Sequence, residues 1–490
     1  MPQGFLVVTF LILVVLSVDC RGFSDESIRT SSSSEEISFL DSKLLPQGVA
    51  VGDVSSERAL LWLRTDGPAQ VRVEYAPPPL WEQASKLATT VAPVPSTALI
   101  RTTAETDYTL TVPLEKLSPG TLYRYHVTIV DEDQFAKPFS PKPAAKGEFI
   151  TPPDDKTSTV VTFAWSGDLG GQGRCRQGAG GYPIFDVIHR QDPDFFLFLG
   201  DTIYSDHICL SPPNEPGADF SATTLQTYRE RHRYQRGAES LQRFLRTVPV
   251  YVIWDDHDVR DNFSGPFDAQ MPAGRQALRE YWPIASPEQD PHRLYRSVRY
   301  GANLELFILD TRQYRSRNED QDGPDKTMLG SGQLQWLLDE LQRSTAIWKV
   351  IVTSVPLSVV KGSVGNDGWG ADRNGVGFVR ERQMIVDTIL GQKIRNVVFL
   401  AGDGHWVQAN AYDPDQDGTI DFHEFMVGPL SARPGRLTPA SEDLHPTRLV
   451  NESGYQNFGL VRVTRSSLDV TVIDEAGETR FSHHISALEP

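Results

Sequence analysis

Phe195 to Tyr204 reads FFLFLGDTIY, and the fold of the chain is decided by how this stretch ends. Five consecutive apolar residues suit a strand covered on both faces, and the run stops abruptly at Gly200 and Asp201. In open α/β sheets ligands bind beyond the carboxyl ends of strands, so an Asp at that position is placed for chemistry. Tyr204, three residues on, is near enough to share a ligand with it. The bland alternative is an ordinary turn after a strand, and the choice depends on whether other strand ends supply partners.

Three more do. TFAW runs into Ser166, Gly167, Asp168 and Gly170; VYVIW into Asp255, Asp256, His257 and Asp258; VVFLA into Gly402, Asp403, Gly404 and His405. Four polar clusters, each at the end of an apolar strand, point to one shared metal site. Two cations held roughly 3.5–4 Å apart need a bridging carboxylate and anionic oxygen ligands to offset their repulsion. Asp201 is the expected bridge. Asp168, Tyr204 and His405 complete a carboxylate, phenolate and imidazole set suited to a ferric ion, while Asp256 and Asp403 offer hard oxygens suited to Ca²⁺, Mg²⁺ or Mn²⁺. His257, beside a ligand, is the expected proton donor, with a purely structural histidine as the alternative.

The rest of the chain frames this site. Its 490 residues allow a large α/β domain with a smaller companion. A net charge of −17 argues against nucleic acid as a partner. Residues 4–18 form an apolar run, short for a membrane span and suited to a signal peptide over 1–23, which leaves no stable span after cleavage. A secreted, periplasmic or cell-surface monomer is expected, and Cys175 and Cys209 would then either pair or remain free thiols. Residues 24–44 read as a polar linker. Residues 45–152 show short alternating runs (ALLWLRT, AQVRVEYA, DYTLTVPL, TLYRYHVTIV) typical of a small antiparallel sandwich. LSPGTLYRYHV within it resembles the corner motif of fibronectin type III domains. Residues 153–490 alternate strand and helix, with one amphipathic helix marked by Leu334, Leu337, Leu338 and Leu341. Short strands return over 455–485.

The order DxG, GDxxY, DDHD, GDxH resembles the calcineurin-like metallophosphoesterases, among them the purple acid phosphatases and PhoD-type alkaline phosphatases. WDDHD, LDTRQYR (Leu309–Arg315), GPLSA (Gly428–Ala432) and the GVAVGD start at Gly48 resemble the PhoD type specifically. The resemblance covers residues 45–485. It implies a four-layer α/β/β/α catalytic domain behind a fibronectin III-like sandwich, and hydrolysis of phosphate mono- or diesters by a metal-bound hydroxide. It also implies Fe³⁺ held by Asp168, Asp201, Tyr204 and His405, with Ca²⁺ (alternatively Mn²⁺, Mg²⁺ or Zn²⁺) held by Asp201, Asp256 and Asp403. Two departures bear on the metals: Ser166-Gly167-Asp168 stands where PhoD-type chains commonly carry a Cys ligand, and VTSVPL lacks the histidine of a VxxH motif.

Two further features carry alternatives. Asp413, Asp415, Asp417, Gly418, Asp421 and Glu424 match the calcium loop of an EF-hand, although strand-like flanks make it a calcium-stabilised hairpin or a solvated acidic turn. Arg312 and Arg315 either meet substrate oxygens or buttress the acidic loops. Two other functions compete with the phosphatase: a phosphodiesterase acting on lipid or wall polymer, and a non-enzymatic, calcium-dependent extracellular binding module.

Overall fold

The computed structural model describes residues 39–81, 94–130, 143–178, 180–359, 367–371 and 374–488. The expected signal peptide, 1–23, lies outside the described residues, as does the linker as far as residue 38. Residues 39 and 40, expected within that linker, instead pair with Lys146 and Ala145 as an edge strand of the sandwich.

Two sheets packed face to face form the centre of the molecule. In the nine-stranded sheet Phe195–Leu199 is the middle strand, parallel to both Val161–Ser166 and Val250–Ile253. The seven-stranded sheet runs Arg296–Tyr300, Leu304–Ile308, Trp348–Val352, Val397–Ala401, Phe422–Met426, Val407–Tyr412, Pro446–Glu452. Because strand side chains alternate faces, Phe195, Leu197 and Leu199 enter the inter-sheet core with Leu306, Val350 and Leu400. Phe196 and Phe198 face the other way, toward the helices Ile184–His189, Glu239–Leu245 and Met271–Tyr281. The second sheet's outer face is covered by Gly330–Arg343 and Val379–Gly391. The four-layer α/β/β/α arrangement follows, and the unbroken run FFLFL reflects burial on both sides.

The N-terminal sandwich keeps its expected strands, and the corner is real: the Ser118 amide donates to the Tyr123 hydroxyl at 2.9 Å. The sandwich is not a separate bead, however. Val49–Gly52 pairs in parallel with Val250–Ile253, so the strands Val49–Gly52, Arg58–Arg64 and Thr109–Glu115 extend the catalytic sheet. The join depends on Gly52, since a Cβ there would lie 2.5 Å from Pro283 Cγ and 2.6 Å from the Val250 carbonyl oxygen. Gly52→Val should lower unfolding free energy by about 1–3 kcal/mol through overpacking; an unchanged urea midpoint would show that the join carries no such constraint.

Candidate metal centre

Three of the four strand ends turn sharply after the strand, while the fourth continues extended through Asp255 into a 3-10 turn over Asp256–Asp258. Asp168, Asp201, Asp403 and His405 all take positive φ, at 64°, 49°, 63° and 62°, a region non-glycine residues rarely enter and one that clusters at functional sites. The turns throw their side chains together. One ligand atom from each of Asp168, Asp201 and His405 falls within a 4.8 Å cluster, as it does for Asp201, Asp256 and His257, and for Asp255, Asp256 and Asp403. Asp201 belongs to two of these groups. Tyr204 lies fully buried beside the first, its hydroxyl 2.7 Å from His405 Nε2 and its ring stacked 4.3 Å from that of His257. The predicted site residues at all four strand ends therefore meet in one place.

Small residues make the room. A Cβ on Gly171 would sit 2.2 Å from the Tyr204 ring, and one on Gly428 2.6 Å from Asp168 Oδ2. The GPLSA loop wraps the first strand end: Leu430 N donates to the Gly167 carbonyl, and Ser431 N and Ala432 N donate to that of Asp168. Cys175 and Cys209 form a disulfide, Cα to Cα 6.0 Å, tying the loop after Asp168 to the loop after Tyr204.

The electrostatics call for positive charge. Burial, then the carboxylates of Asp256, Asp255, Asp168 and Asp258, push the Asp201 pKa well above the usual carboxylate range. Burial and Asp201 likewise push up the Tyr204 phenol. The outer oxygens of Asp168 and Asp201 are buried and accept no hydrogen bond. Acceptors of this kind, cradled by glycines and surrounded by acids, fit a cation held by hard oxygen and imidazole donors.

Comparison with protein families matches residues 163–473 to the PhoD-like phosphatase and residues 31–153 to its N-terminal domain. The chain belongs to the PhoD-like phosphatase family. It is 26% identical over 423 residues to alkaline phosphatase D of Bacillus subtilis, covering 78% of this chain and 68% of that protein. Purple acid phosphatase 17 of Arabidopsis thaliana is 24% identical over 340 residues, covering 67% and 85% respectively. Among solved structures, PhoD superposes with a TM-score of 0.69 at 22% identity over 92% of this chain and 94% of that one. A purple acid phosphatase from yellow lupin seeds gives 0.60 at 13% identity over 90% and 75%. These two likenesses establish the fold. This PhoD-like phosphatase is thus a hydrolase, which sets aside the non-enzymatic module.

The phosphatase also holds residues that sequence reading passed over. Asp206 Oδ1 lies 2.7 Å from His257 Nδ1, and its other oxygen accepts the Asp261 amide. Burial pulls the His257 pKa down, but the Asp256 charge and the hydrogen bond to Asp206 outweigh it and raise it to about 9. Asp255 was visible in DDHD but not distinguished from its neighbour. Its Oδ1 accepts from Arg312 Nε at 2.5 Å and from the Ser354 hydroxyl at 2.7 Å. A dipeptide Ser205-Asp206 after the tyrosine carries no periodicity or spacing that would single it out.

Arg312 and Arg315 are both fully buried. Arg312 bonds Asp255 and Asp367, while Arg315 bonds the carbonyls of Thr311 and Asp367 and the Asn318 side chain. This geometry favours the buttressing alternative. The EF-hand match is corrected at its twelfth position. Asp413, Asp415 and Asp421 approach one another and Asp417 accepts the Thr419 amide, but Glu424 points inward, bonded to the Leu357 amide and the Tyr412 hydroxyl. A period-2 strand turns residue 424 into the core, away from the exposed loop.

Removing Arg312 would leave buried carboxylates uncompensated. Arg312→Ala should cost about 3–5 kcal/mol of stability, measured by denaturant unfolding; a change confined to KM, with stability intact, would restore the substrate-contact reading.

Proposed function

We propose that this phosphatase carries a two-cation centre and hydrolyses phosphate mono- or diesters outside the cytoplasm. Asp168, Asp201, Tyr204 and His405 would hold a ferric ion, and Asp201, Asp256 and Asp403 a second cation, of the calcium type or alternatively Mn²⁺, Mg²⁺ or Zn²⁺. The observation that carries this reading is the place of Asp201 in two ligand clusters at once, with a buried oxygen that no hydrogen bond satisfies. Bound there, the pair would supply Lewis acidity, neutralising charge on the phosphoryl group and acidifying the attacking water.

The protein's own part is proton delivery. In the protonated state His257 donates Nδ1–H to Asp206, which fixes the ring and leaves Nε2–H to pass its proton to the departing alkoxide. An acid must be protonated to act, so the hydrogen bond to Asp206, which favours the charged imidazolium and raises its pKa, carries turnover to higher pH, and turnover is lost as pH climbs through that raised pKa. Export is supported by the apolar run 4–18 and by the Cys175–Cys209 bond, which suits an oxidising compartment.

Asp206→Asn removes the charge and weakens the orientation. It should reduce kcat by about 10–100-fold and shift the alkaline limb to lower pH; an unmoved limb would remove His257 from the role of acid. A second check concerns Tyr204. A phenolate on Fe³⁺ gives a visible charge-transfer band, so iron-loaded wild type should be coloured and Tyr204→Phe colourless while folded. A mutant that kept both iron and spectrum would dismiss the phenolate and the ferric assignment together.

A further inference from the structure

His207 follows the residue that orients His257, and nothing above gives it a task. Its ring lies 4.8 Å from that of His257 and 5.4 Å from that of Tyr204, half-buried at the rim of the candidate centre. The Gln172 backbone N–H donates to its Nδ1 at 3.1 Å. A nitrogen that accepts an amide proton cannot carry its own, so the ring is held as the neutral tautomer with its proton on Nε2.

That contact is firmly supported on both sides. Gln172 precedes Cys175 by three residues and His207 precedes Cys209 by two, so the disulfide ties together the two loops that make the hydrogen bond. The Gln172 side chain accepts the Arg433 amide at 3.1 Å, and the Arg433 carbonyl lies 2.7 Å from His405 Nδ1. Gly171 is packed against the Tyr204 ring. His207 is thereby a fixed hydrogen-bond donor, tied to the same loops as Tyr204 and His405 and adjacent to the imidazole assigned as acid. Such preorganisation is costly to build around a side chain with no ligand to meet.

We propose that His207 is a substrate-binding residue, donating its Nε2–H to a non-bridging oxygen of the phosphoryl group. The inference rests on the phosphatase reading of this centre but not on His257 acting as the acid, because the inhibition constant for orthophosphate reports binding and not proton transfer to a leaving group. Of the charged groups around it, Asp206 is taken up by His257 Nδ1 and the Asp261 amide, while Asp261 and Arg231 act on the ring from further off; among the described residues His207 Nε2 has no hydrogen-bond partner, which leaves that N–H for an anion.

The test uses metal-loaded enzyme and orthophosphate as a competitive inhibitor. His207→Ala should raise the inhibition constant for orthophosphate about 10–100-fold, as expected for losing a hydrogen bond to a charged group. Its metal content and the alkaline limb of its pH profile should match the wild type. His207→Gln, which keeps an N–H donor, should recover most of the affinity. An orthophosphate affinity unchanged in His207→Ala would overturn the proposal, and so would loss of bound metal in both variants, which would make His207 a structural support. Wild-type enzyme that binds no orthophosphate at all would overturn the phosphatase reading of the site together with this one.

Discussion

Asp168, Asp201, Asp256 and Asp403 are all buried at adjoining strand ends, and the repulsion among neighbouring carboxylates there calls for positive charge. At an effective dielectric of about 20, two like charges roughly 4 Å apart repel by about 4 kcal/mol, and Asp201 faces several such neighbours. Arg312 offsets part of this from below, through Asp255. A cation shared at Asp201, as proposed, would relieve the rest of the burden that makes the arrangement costly. Left-handed backbone at three of the four strand ends and glycines at 171 and 428 are the local strain and space that such a cluster requires.

The N-terminal sandwich helps to hold this arrangement still. Trp62 donates to the Glu280 carbonyl, and the Arg236 guanidinium lies between the rings of Trp62 and Trp282. Asp107 meets Arg64, Arg233 and the Tyr281 hydroxyl. Arg233 and Arg236 lie on the helix Leu225–Arg236, whose Arg231 donates to the carbonyls of Tyr204 and Ala218. A chain of contacts therefore runs from the shared sheet through one helix to the turn that carries Tyr204. The disulfide ties down the same loop, with Arg231 Nη2 3.8 Å from Cys209 Sγ.

Much of this was legible in the sequence because strands buried on both faces are written as apolar runs, and each ends where a carboxylate begins. FFLFLGD, VYVIWDD and VVFLAGD mark their own positions in the sheet. What stayed hidden depends on contacts distant in sequence. Asp206 finds His257 only after two strands have been brought side by side, and Gly52 reaches Val250 across the presumed domain boundary. Glu424 fitted a loop pattern by spacing, but spacing carries no information on which face of a strand a side chain takes. Arg312 was open to two readings, substrate contact or counter-charge, and its burial against Asp255 favours the second.

The central claim is that two cations share Asp201 at the ends of the middle strands. X-ray absorption at the iron edge of aerobically purified protein addresses it directly. The account predicts a first shell of oxygen and nitrogen donors, without sulfur, and a second metal at about 3.5–4 Å. A sulfur-rich shell, or an isolated ion with no metal neighbour, would contradict it.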